Sequence, residues 1–253
     1  LGTVCRTKDF ERIRQLGTGH SGEVFLAKHR ASGKLVALKQ VLALNPDKFD
    51  SIRAEECTQH SLNGSPLIAE HYCTMVSGSF VIFVLEVAEG FEELRPIIRD
   101  NRGEKLPSRV IRSVSWNLII ATDYIHSRAV IYRDLKSGNV LINGAGVIKL
   151  IDFGMAKFKS PKSSKKSFRN SQNLDWFLVG VHIFELITGG QVFSEVQGTS
   201  HMSSWKKLWR SIRCPADDEY GCDLVRVLVT KKSRFWKAKD KVSFLRAHPY
   251  FSK

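Results

Sequence analysis

The sequence predicts an α+β protein with an antiparallel sheet in its N-terminal part and helices in its C-terminal part. Three observations carry this prediction. Apolar residues alternate with period two over Phe10–Val41, and a turn at Ser32–Lys34 divides the pattern into a hairpin. A dense apolar run at Phe80–Val87 adds a further strand. Apolar side chains then recur at helical spacing over Leu106–His126 and Leu174–Thr188, so strands come first and helices follow.

Shorter elements fill the intervals between these segments. Ser51–Leu62 is predicted to form a short helix that ends at Asn63-Gly64, a pair of residues that favours a turn. Val140–Ile142 and Val147–Ile151 are predicted as short strands. The stretch after Ser200 is predicted to be mostly helical, and the chain contains no internal repeat.

The composition is that of a globular protein. Of the 253 residues, 43% are hydrophobic, which is enough to bury a core. No uninterrupted apolar run approaches the roughly 18–20 residues that span a membrane, so no membrane partner is expected. The five cysteines are odd in number and form no CxxC pair. This usage predicts reduced thiols in an intracellular protein, in place of disulfides or a zinc site.

The net charge of +14 is concentrated in two segments. Lys157–Arg169 carries +6 and residues 201–253 carry +8, whereas residues 1–88 carry only +1. Such segments can be solvated surface, or they can dock acidic partners or nucleic acid. A nucleic-acid partner is the weaker alternative, because no module with interleaved aromatic residues is present.

A glycine-rich segment lies inside the first predicted hairpin. Its six residues are Gly17, Thr18, Gly19, His20, Ser21 and Gly22. A dinucleotide-binding fold would continue into a helix here, but Glu23–Leu26 continues as a strand. A glycine-rich hairpin tip can instead bring backbone N–H groups close to phosphates. Lys39, on the following strand, is predicted to point its ammonium at the same phosphates.

Two further motifs complete a pattern. Tyr132–Asn139 reads Y-R-D-L-K-S-G-N, and Ile151–Gly154 reads I-D-F-G. With the glycine-rich segment and Val36–Lys39 (V-A-L-K), these motifs resemble the protein kinase superfamily from Phe10 to Phe251. The resemblance implies one bilobal kinase domain over residues 1–253. Its N-terminal lobe would be 1–88, an antiparallel sheet with one helix, and its mainly helical C-terminal lobe would be 89–253.

The resemblance also implies ATP and Mg²⁺ as cofactors and a role for each matching residue. Lys39 would contact the α- and β-phosphates and pair with a helix carboxylate. Glu55 and Glu56 are both candidates, and Glu56 is preferred because its distance to Pro66 matches the family's spacing.

The remaining catalytic residues lie in the last two motifs. Asp134 would accept or orient the proton of the substrate hydroxyl, and Lys136 would neutralise charge on the transferring phosphoryl group. Asn139 and Asp152 would hold Mg²⁺.

The same resemblance implies an adenine pocket. Leu85 would be the gatekeeper residue, Glu86 and Ala88 would offer backbone groups to adenine, and Glu92 would reach the ribose. The apolar residues that close the pocket would be Val24 and Ala37 from above and Leu141 from below.

Two features indicate the class of kinase. Lys136, two residues after Asp134, resembles serine/threonine kinases, which implies transfer to Ser or Thr hydroxyls of protein substrates. Tyr132 in place of the commoner histidine, together with His248–Phe251, resembles the AGC-like branch.

The chain departs from the family pattern after Asp152. Asp175–Gly180 reads D-W-F-L-V-G and looks like the family's D-x-W-x-x-G helix, whose Asp would support the catalytic loop, but only 23 residues separate Asp175 from Asp152. No A-P-E motif lies between them. Lys157–Arg169 is predicted to be mobile, because it has almost no apolar residues to bury, and a phosphorylated serine in it could pair with Arg133.

The shortened segment leaves two functions open. The leading one is an active kinase, and the alternative is a pseudokinase-like scaffold or allosteric module that binds nucleotide with weak catalysis. Some kinases of large DNA viruses and some bacterial effectors have such short segments. The expected location is the cytoplasm or nucleus, and it is that of a host cell if the chain is a viral or effector kinase. The basic segment Lys157–Arg169 predicts acidic substrates or acidic partner surfaces.

Overall fold

The computed structural model describes six stretches of the chain. They are residues 5–19, 22–100, 106–159, 164–189, 218–230 and 233–252, with the side chains of residues 99, 100 and 165 left out.

The N-terminal part is a five-stranded antiparallel sheet. Its strands are β1 (Phe10–Gly19), β2 (Gly22–His29), β3 (Leu35–Leu42), β4 (His71–Ser77) and β5 (Phe80–Glu86). They are ordered β1-β2-β3-β5-β4, and every neighbouring pair is antiparallel. The sheet is apolar on both faces because each face packs into its own hydrophobic cluster.

One helix, α1 (Pro46–Ser61), packs on this sheet. The side chain of Asn45 accepts a hydrogen bond from the N–H of Lys48 at 2.9 Å, and Pro46 occupies the first helical position. Both are favoured at helix starts, so α1 begins five residues before the predicted Ser51. Ile52 is buried in the cluster beneath the sheet, which fixes the helix face that turns inward.

The remaining described strands and helices form the second part. A small sheet joins β6 (Glu92–Glu93), β8 (Val140–Ile142) and β9 (Ile148–Leu150) in the order β6-β8-β9, and β7 (Val130–Ile131) pairs with β10 (Lys157–Phe158). The helices are α2 (Leu94–Asp100), α3 (Ser108–Ser127), α4 (Lys165–Thr188), α5 (Glu219–Val229) and α6 (Lys241–Arg246). Short 3₁₀ turns lie at Thr7–Asp9, Ser137–Asn139, Arg234–Lys237 and Pro249–Phe251.

The helical part has one large core. Apolar faces of α3, α4 and α5 meet there, and Leu118, Trp176 and Leu228 are each at most 1% exposed. The predicted fold class, a sheet followed by helices in a bilobal kinase-like α+β arrangement, is confirmed. The prediction of a mostly helical tail holds for the described residues after Asp218.

The segment Lys157–Arg169 differs from the prediction that it is mobile along its length. Lys157–Phe158 pairs with Val130–Ile131 in a strand, and α4 already begins at Lys165. The hydroxyl of Ser164 accepts a hydrogen bond from the N–H of Ser167 at 3.1 Å, which caps the helix. The first turn of α4 is therefore stabilised by this cap, although Lys165–Ser167 has no apolar side chains to bury. Ser160 and Ser163 lie outside the described residues.

The prediction that all cysteines are reduced thiols is wrong. Cys5 and Cys73 form a disulfide that ties the segment before β1 to β4. Cys222 is disulfide-bonded as well, and Cys57 is a free thiol. Cys5 and Cys73 are 68 residues apart in the sequence, and they meet because both lie on the outer face of the five-stranded sheet.

No helix among the described stretches is both long enough and apolar enough to cross a membrane.

Candidate active site

The glycine-rich segment forms the tip of the β1–β2 hairpin. Gly19 pairs with Gly22, while Gly17 and Thr18 pair with Val24 and Glu23 on the facing strand. Gly22 has φ +118°, and a Cβ there would collide with the carbonyl oxygen of Gln40. Only glycine fits this position without strain. His20 and Ser21 lie outside the described residues.

Lys39 lies on β3, directly across from Val24 of the hairpin. It is only 4% exposed, and its Nζ donates to Glu55 Oε1 at 2.5 Å and to Asp152 Oδ1 at 2.8 Å. Burial alone would lower the pKa of Lys39, but the carboxylates of Glu55 and Asp152 outweigh burial and raise it. The ammonium is therefore charged at neutral pH and held between the helix α1 and the D-F-G motif.

The structure contradicts the predicted pairing of Lys39 with Glu56. Glu55 is 8% exposed and faces the sheet, whereas Glu56 is half-buried and lies on another side of α1. The helix phase decides this, because Ile52 and Gln59, three residues before and four after Glu55, are also buried. The sequence carries no such signal, because Ile52 precedes Glu55 by three residues and Glu56 by four, and both spacings share a helix face.

Asp134 is the centre of a compact hydrogen-bonded cluster. Its Oδ2 accepts from Lys136 Nζ at 2.6 Å and from Asn139 Nδ2 at 2.8 Å, and Asn139 Nδ2 also reaches the backbone oxygen of Asp134 at 2.9 Å. The 3₁₀ turn Ser137–Asn139 folds the chain back so that these three side chains converge. The predicted catalytic residues of this motif therefore lie together.

Asn139 and Asp152, the predicted Mg²⁺ ligands, lie close together, since the N–H of Ile151 donates to the backbone oxygen of Asn139 at 3.0 Å. Carboxylate and amide oxygens are the ligand types that Mg²⁺ prefers. In the described part of the chain, no three His, Cys, Asp or Glu side chains gather to form a metal site by themselves. The residues fit a Mg²⁺ ion that takes its remaining ligands from water and phosphate oxygens.

Asp175, at 1% exposure on α4, supports the catalytic loop, which we define as Tyr132–Asn139. Its Oδ2 accepts from the N–H of Tyr132 at 2.9 Å and its Oδ1 from the N–H of Arg133 at 2.8 Å. His126 Nε2 lies 2.8 Å from Oδ2. One buried carboxylate thus anchors the start of the loop to the core of the helical part.

Backbone strain is concentrated at this site. Arg133 and Asp152 have φ of +70° and +60°, a left-handed conformation that is costly for residues other than glycine. The bonds to Asp175 and Lys39 hold these two residues in place. The hydroxyl of Tyr132 donates to the carbonyl of Ile151 at 2.6 Å, and its ring packs 4.9 Å from that of Phe153. Tyr132 therefore connects the catalytic loop to the D-F-G motif.

The apolar residues predicted to surround adenine gather beneath the hairpin tip. Val24, Ala37 and Leu85 belong to one hydrophobic cluster, and Ala37 pairs with Leu85 across the sheet. Leu141 lies on β8, where it pairs with the strand that contains Glu92 and Glu93.

Some backbone groups at the end of β5 and in the segment after it are bonded within the chain. The N–H of Glu86 donates to the carbonyl of Glu70 at 2.9 Å, so this N–H is already bonded within the chain. The carbonyl of Ala88 accepts from the N–H of Phe91 at 3.1 Å, which leaves its N–H as the group to offer. Glu92 is exposed and follows this segment.

Two polar contacts that the sequence motifs do not mark also support the site. Lys149 Nζ lies 2.8 Å from Glu86 Oε2, which ties β9 to the end of β5. The buried His182 on α4 has Nε2 3.0 Å from the carbonyl oxygen of Leu135 and Nδ1 2.9 Å from Glu185 Oε2. No short motif marks either pair, because their partners come from distant parts of the chain or from an otherwise apolar helix.

Comparison with known proteins agrees with this geometry. The sequence model of the protein kinase domain matches residues 10–223. Protein kinase C zeta type from Oryctolagus cuniculus is 28% identical over 225 residues, covering 81% of this chain and 37% of the relative. The cAMP-dependent protein kinase type 3 of Saccharomyces cerevisiae is 26% identical over 265 residues, covering 96% of this chain and 65% of the relative. Atypical protein kinase C of Drosophila melanogaster is 26% identical over 204 residues, covering 73% and 33%.

The chain thus spans between 33% and 65% of the length of these relatives. The family match covers most of the chain, and contacts between Lys39 and Asp152 and between Ile151 and Asn139 bring three of the four motifs together. The chain belongs to the protein kinase domain family.

Proposed function

We propose that this chain transfers the γ-phosphate of ATP, with Mg²⁺ bound, to Ser or Thr hydroxyls of protein substrates. The observation that carries the proposal is the Asp134 cluster, in which one carboxylate accepts hydrogen bonds from both Lys136 and Asn139. A carboxylate held in this way is oriented to accept a hydrogen bond from an incoming hydroxyl and then its proton.

The phosphate end of the nucleotide would meet two groups of the N-terminal part. Backbone N–H groups of the hairpin tip at Gly17–Gly22 would approach the phosphates, and the charged Lys39 would contact the α- and β-phosphates. Glu55 and Asp152 fix the position of Lys39, so its ammonium needs no reorganisation when the nucleotide binds.

Asn139 and Asp152 would hold Mg²⁺, which when bound neutralises charge on the phosphates. Lys136, with a side chain 42% exposed beside Asp134, would stabilise negative charge on the transferring group. The adenine would lie among Val24, Ala37, Leu85 and Leu141, with Glu86 and Ala88 as backbone partners and Glu92 near the ribose.

We further propose that residues 1–88 and 89–253 are the two lobes of a single kinase domain, with the cleft between them as the site of transfer. An intracellular location is proposed with it. The Cys5–Cys73 bond opposes this location, since such bonds persist mainly in oxidising compartments. Labelling of protein extracted from the reducing cytosol with a thiol-specific reagent tests it: free thiols at both Cys5 and Cys73 support the intracellular location.

Transfer of labelled γ-phosphate to a generic protein substrate tests the function directly. The wild-type chain is expected to transfer label only with Mg²⁺ present, and Lys39→Ala and Asp152→Asn are expected to lose the transfer. Phosphoamino-acid analysis should find phosphoserine or phosphothreonine. Transfer that is unchanged in both variants contradicts the assigned roles.

A second candidate function is a nucleotide-binding scaffold with weak catalysis. The observation that favours it is the early start of α4 at Lys165, which leaves few residues after Gly154 for docking a peptide. Thermal stabilisation by Mg-ATP without any turnover supports this candidate, and turnover on protein substrates excludes it.

A further inference from the structure

Gly138 of the catalytic loop lies directly under an arginine of another element. Helix α2 packs against the 3₁₀ turn Ser137–Asn139, and the Nη2 of Arg95 occupies the space that a Cβ at Gly138 would take. Even the Cζ of Arg95 is only 2.5 Å from that point. Any side chain at position 138 would displace the guanidinium, so glycine here is what brings a positive charge onto the catalytic loop.

The guanidinium still has donors to offer. Its Nε lies 3.5 Å from Glu93 Oε1, a long contact between side chains that are 49% and 41% exposed. Such an exposed pair is weak, and a guanidinium carries five N–H donors in a planar fork. The Nε of Arg95 lies beside Glu93, and the guanidinium packs over Gly138 with Nη2 nearest to it. An anionic side chain arriving along the loop could take two parallel hydrogen bonds from Nη.

The distance between Arg95 and Asp134 determines which residue of a bound peptide substrate, counted from the acceptor hydroxyl, would contact the guanidinium. Asn139, the neighbour of Gly138, lies 2.8 Å from the Asp134 carboxylate. Consecutive Cα atoms are about 3.8 Å apart, so Gly138 is within roughly 10 Å of that carboxylate. An extended peptide advances about 3.3 Å per residue, so Arg95 would meet a residue about two to four positions from the acceptor.

We propose that Arg95, placed over Gly138, is a specificity-determining residue that selects substrates with an acidic side chain two to four positions from the acceptor hydroxyl. The proposal rests on the kinase function proposed above and names the substrate class for that same site.

The surrounding charges favour the same class of substrate. The exposed Arg133 and the half-exposed Lys136 lie on the same loop, and Lys157 and Lys159 follow the D-F-G motif. The opposing carboxylates nearby are Asp134, which is bonded to Lys136 and Asn139, and the glutamates Glu92 and Glu93 on β6. A basic substrate residue at this position would lie against the guanidinium of Arg95 and be disfavoured.

A positional peptide scan tests the proposal. The peptides carry one serine in an alanine–glycine background, with a single glutamate or lysine at each position from four before to four after the serine. Both kcat/KM and the dissociation constant of each peptide, measured by fluorescence anisotropy, are recorded for the wild type, Arg95→Gln and Arg95→Glu. Arg226→Glu is the matched control, because Arg226 is an exposed arginine on α5 and its replacement makes the same change in net charge.

The wild type is expected to prefer glutamate over alanine by about three- to tenfold at one position in this window, with lysine disfavoured there. Arg95→Gln should remove the preference, Arg95→Glu should reverse it toward lysine, and Arg226→Glu should keep it. The preference should also weaken as salt is raised. A preference retained in both Arg95 variants, or absent from the wild type, overturns the proposal.

The two readouts separate this inference from the kinase function. Turnover on every peptide without an acidic preference overturns the inference alone. Absence of turnover on all peptides contradicts the kinase function, while the anisotropy measurements still decide whether Arg95 selects acidic peptides.

Discussion

Replacing the two adjacent glutamates of α1 one at a time tests the structure at the position where it differs from the sequence prediction. Glu55→Gln keeps the shape of the side chain but removes the charge that faces Lys39 Nζ at 2.5 Å. Glu56→Gln makes the same chemical change one residue along, on a half-buried side chain that faces elsewhere. The pair is therefore matched in helix propensity, charge and chemistry.

The size of the effect follows from burial. The side chains of Lys39 and Glu55 are only 5% and 9% exposed, and breaking such a buried ion pair costs about 3–5 kcal/mol. Asp152 still faces Lys39 at 2.8 Å in the variant, so the expected loss is nearer to about 2–3 kcal/mol, within the usual range for a hydrogen bond to a charged group. If the transition state for phosphoryl transfer loses the same free energy of stabilisation, kcat/KM for ATP falls by roughly 30- to 150-fold.

Denaturant unfolding and steady-state kinetics measure these two quantities on the same preparations. Glu55→Gln is expected to lower both, whereas Glu56→Gln should stay within about 0.5 kcal/mol of the wild type in unfolding free energy. If Glu56→Gln loses as much activity as Glu55→Gln, the assignment of Glu55 as the partner of Lys39 is refuted.

Three further predictions concern the catalytic loop, pH and helix capping. Tyr132→Phe removes the hydroxyl that donates to Ile151 at 2.6 Å and leaves a buried carbonyl without that bond, so unfolding free energy should fall by about 1–3 kcal/mol in urea titrations. Burial lowers the pKa of His71 from 6.5. The neutral imidazole therefore stabilises the fold above pH 6.5, and this stabilisation is lost as the pH falls below 6.5. Acidification should lower the unfolding free energy less in His71→Gln than in the wild type. Ser164→Ala removes the cap of α4 and should cost about 1 kcal/mol by the same titration, while Ser171→Ala, within α4, should cost less.

The sequence located the Asp134 cluster well for a physical reason. Asp134, Lys136 and Asn139 lie within six consecutive residues, so a single tight turn is enough to bring their side chains together. The sheet was equally predictable, because period-two alternation and glycine turns are local properties of the chain.

The features that the sequence left undecided depend on contacts between distant residues. Cys5 and Cys73 meet only because the segment before β1 crosses the outer face of the sheet, and their spacing of 68 residues carries no signal. The pairing of Arg95 with Gly138 likewise depends on how α2 packs against the catalytic loop. The choice of Glu55 over Glu56 also depends on the packing of α1 on the sheet, because the spacing from Ile52 is three residues to Glu55 and four to Glu56 and does not separate them.

The proposed function depends above all on Asp134 as the group that accepts the proton of the substrate hydroxyl. Single-turnover transfer by Asp134→Asn tests this role most directly. The chain is mixed with saturating Mg-ATP and a protein substrate, and the rate of phosphoryl transfer is followed beside the affinity for ATP. Asparagine keeps the shape of the side chain but cannot accept the hydroxyl proton. We expect the transfer rate of Asp134→Asn to be reduced by about 10²–10⁴-fold, with the affinity for ATP little changed. A transfer rate equal to that of the wild type would contradict the proposed role of Asp134.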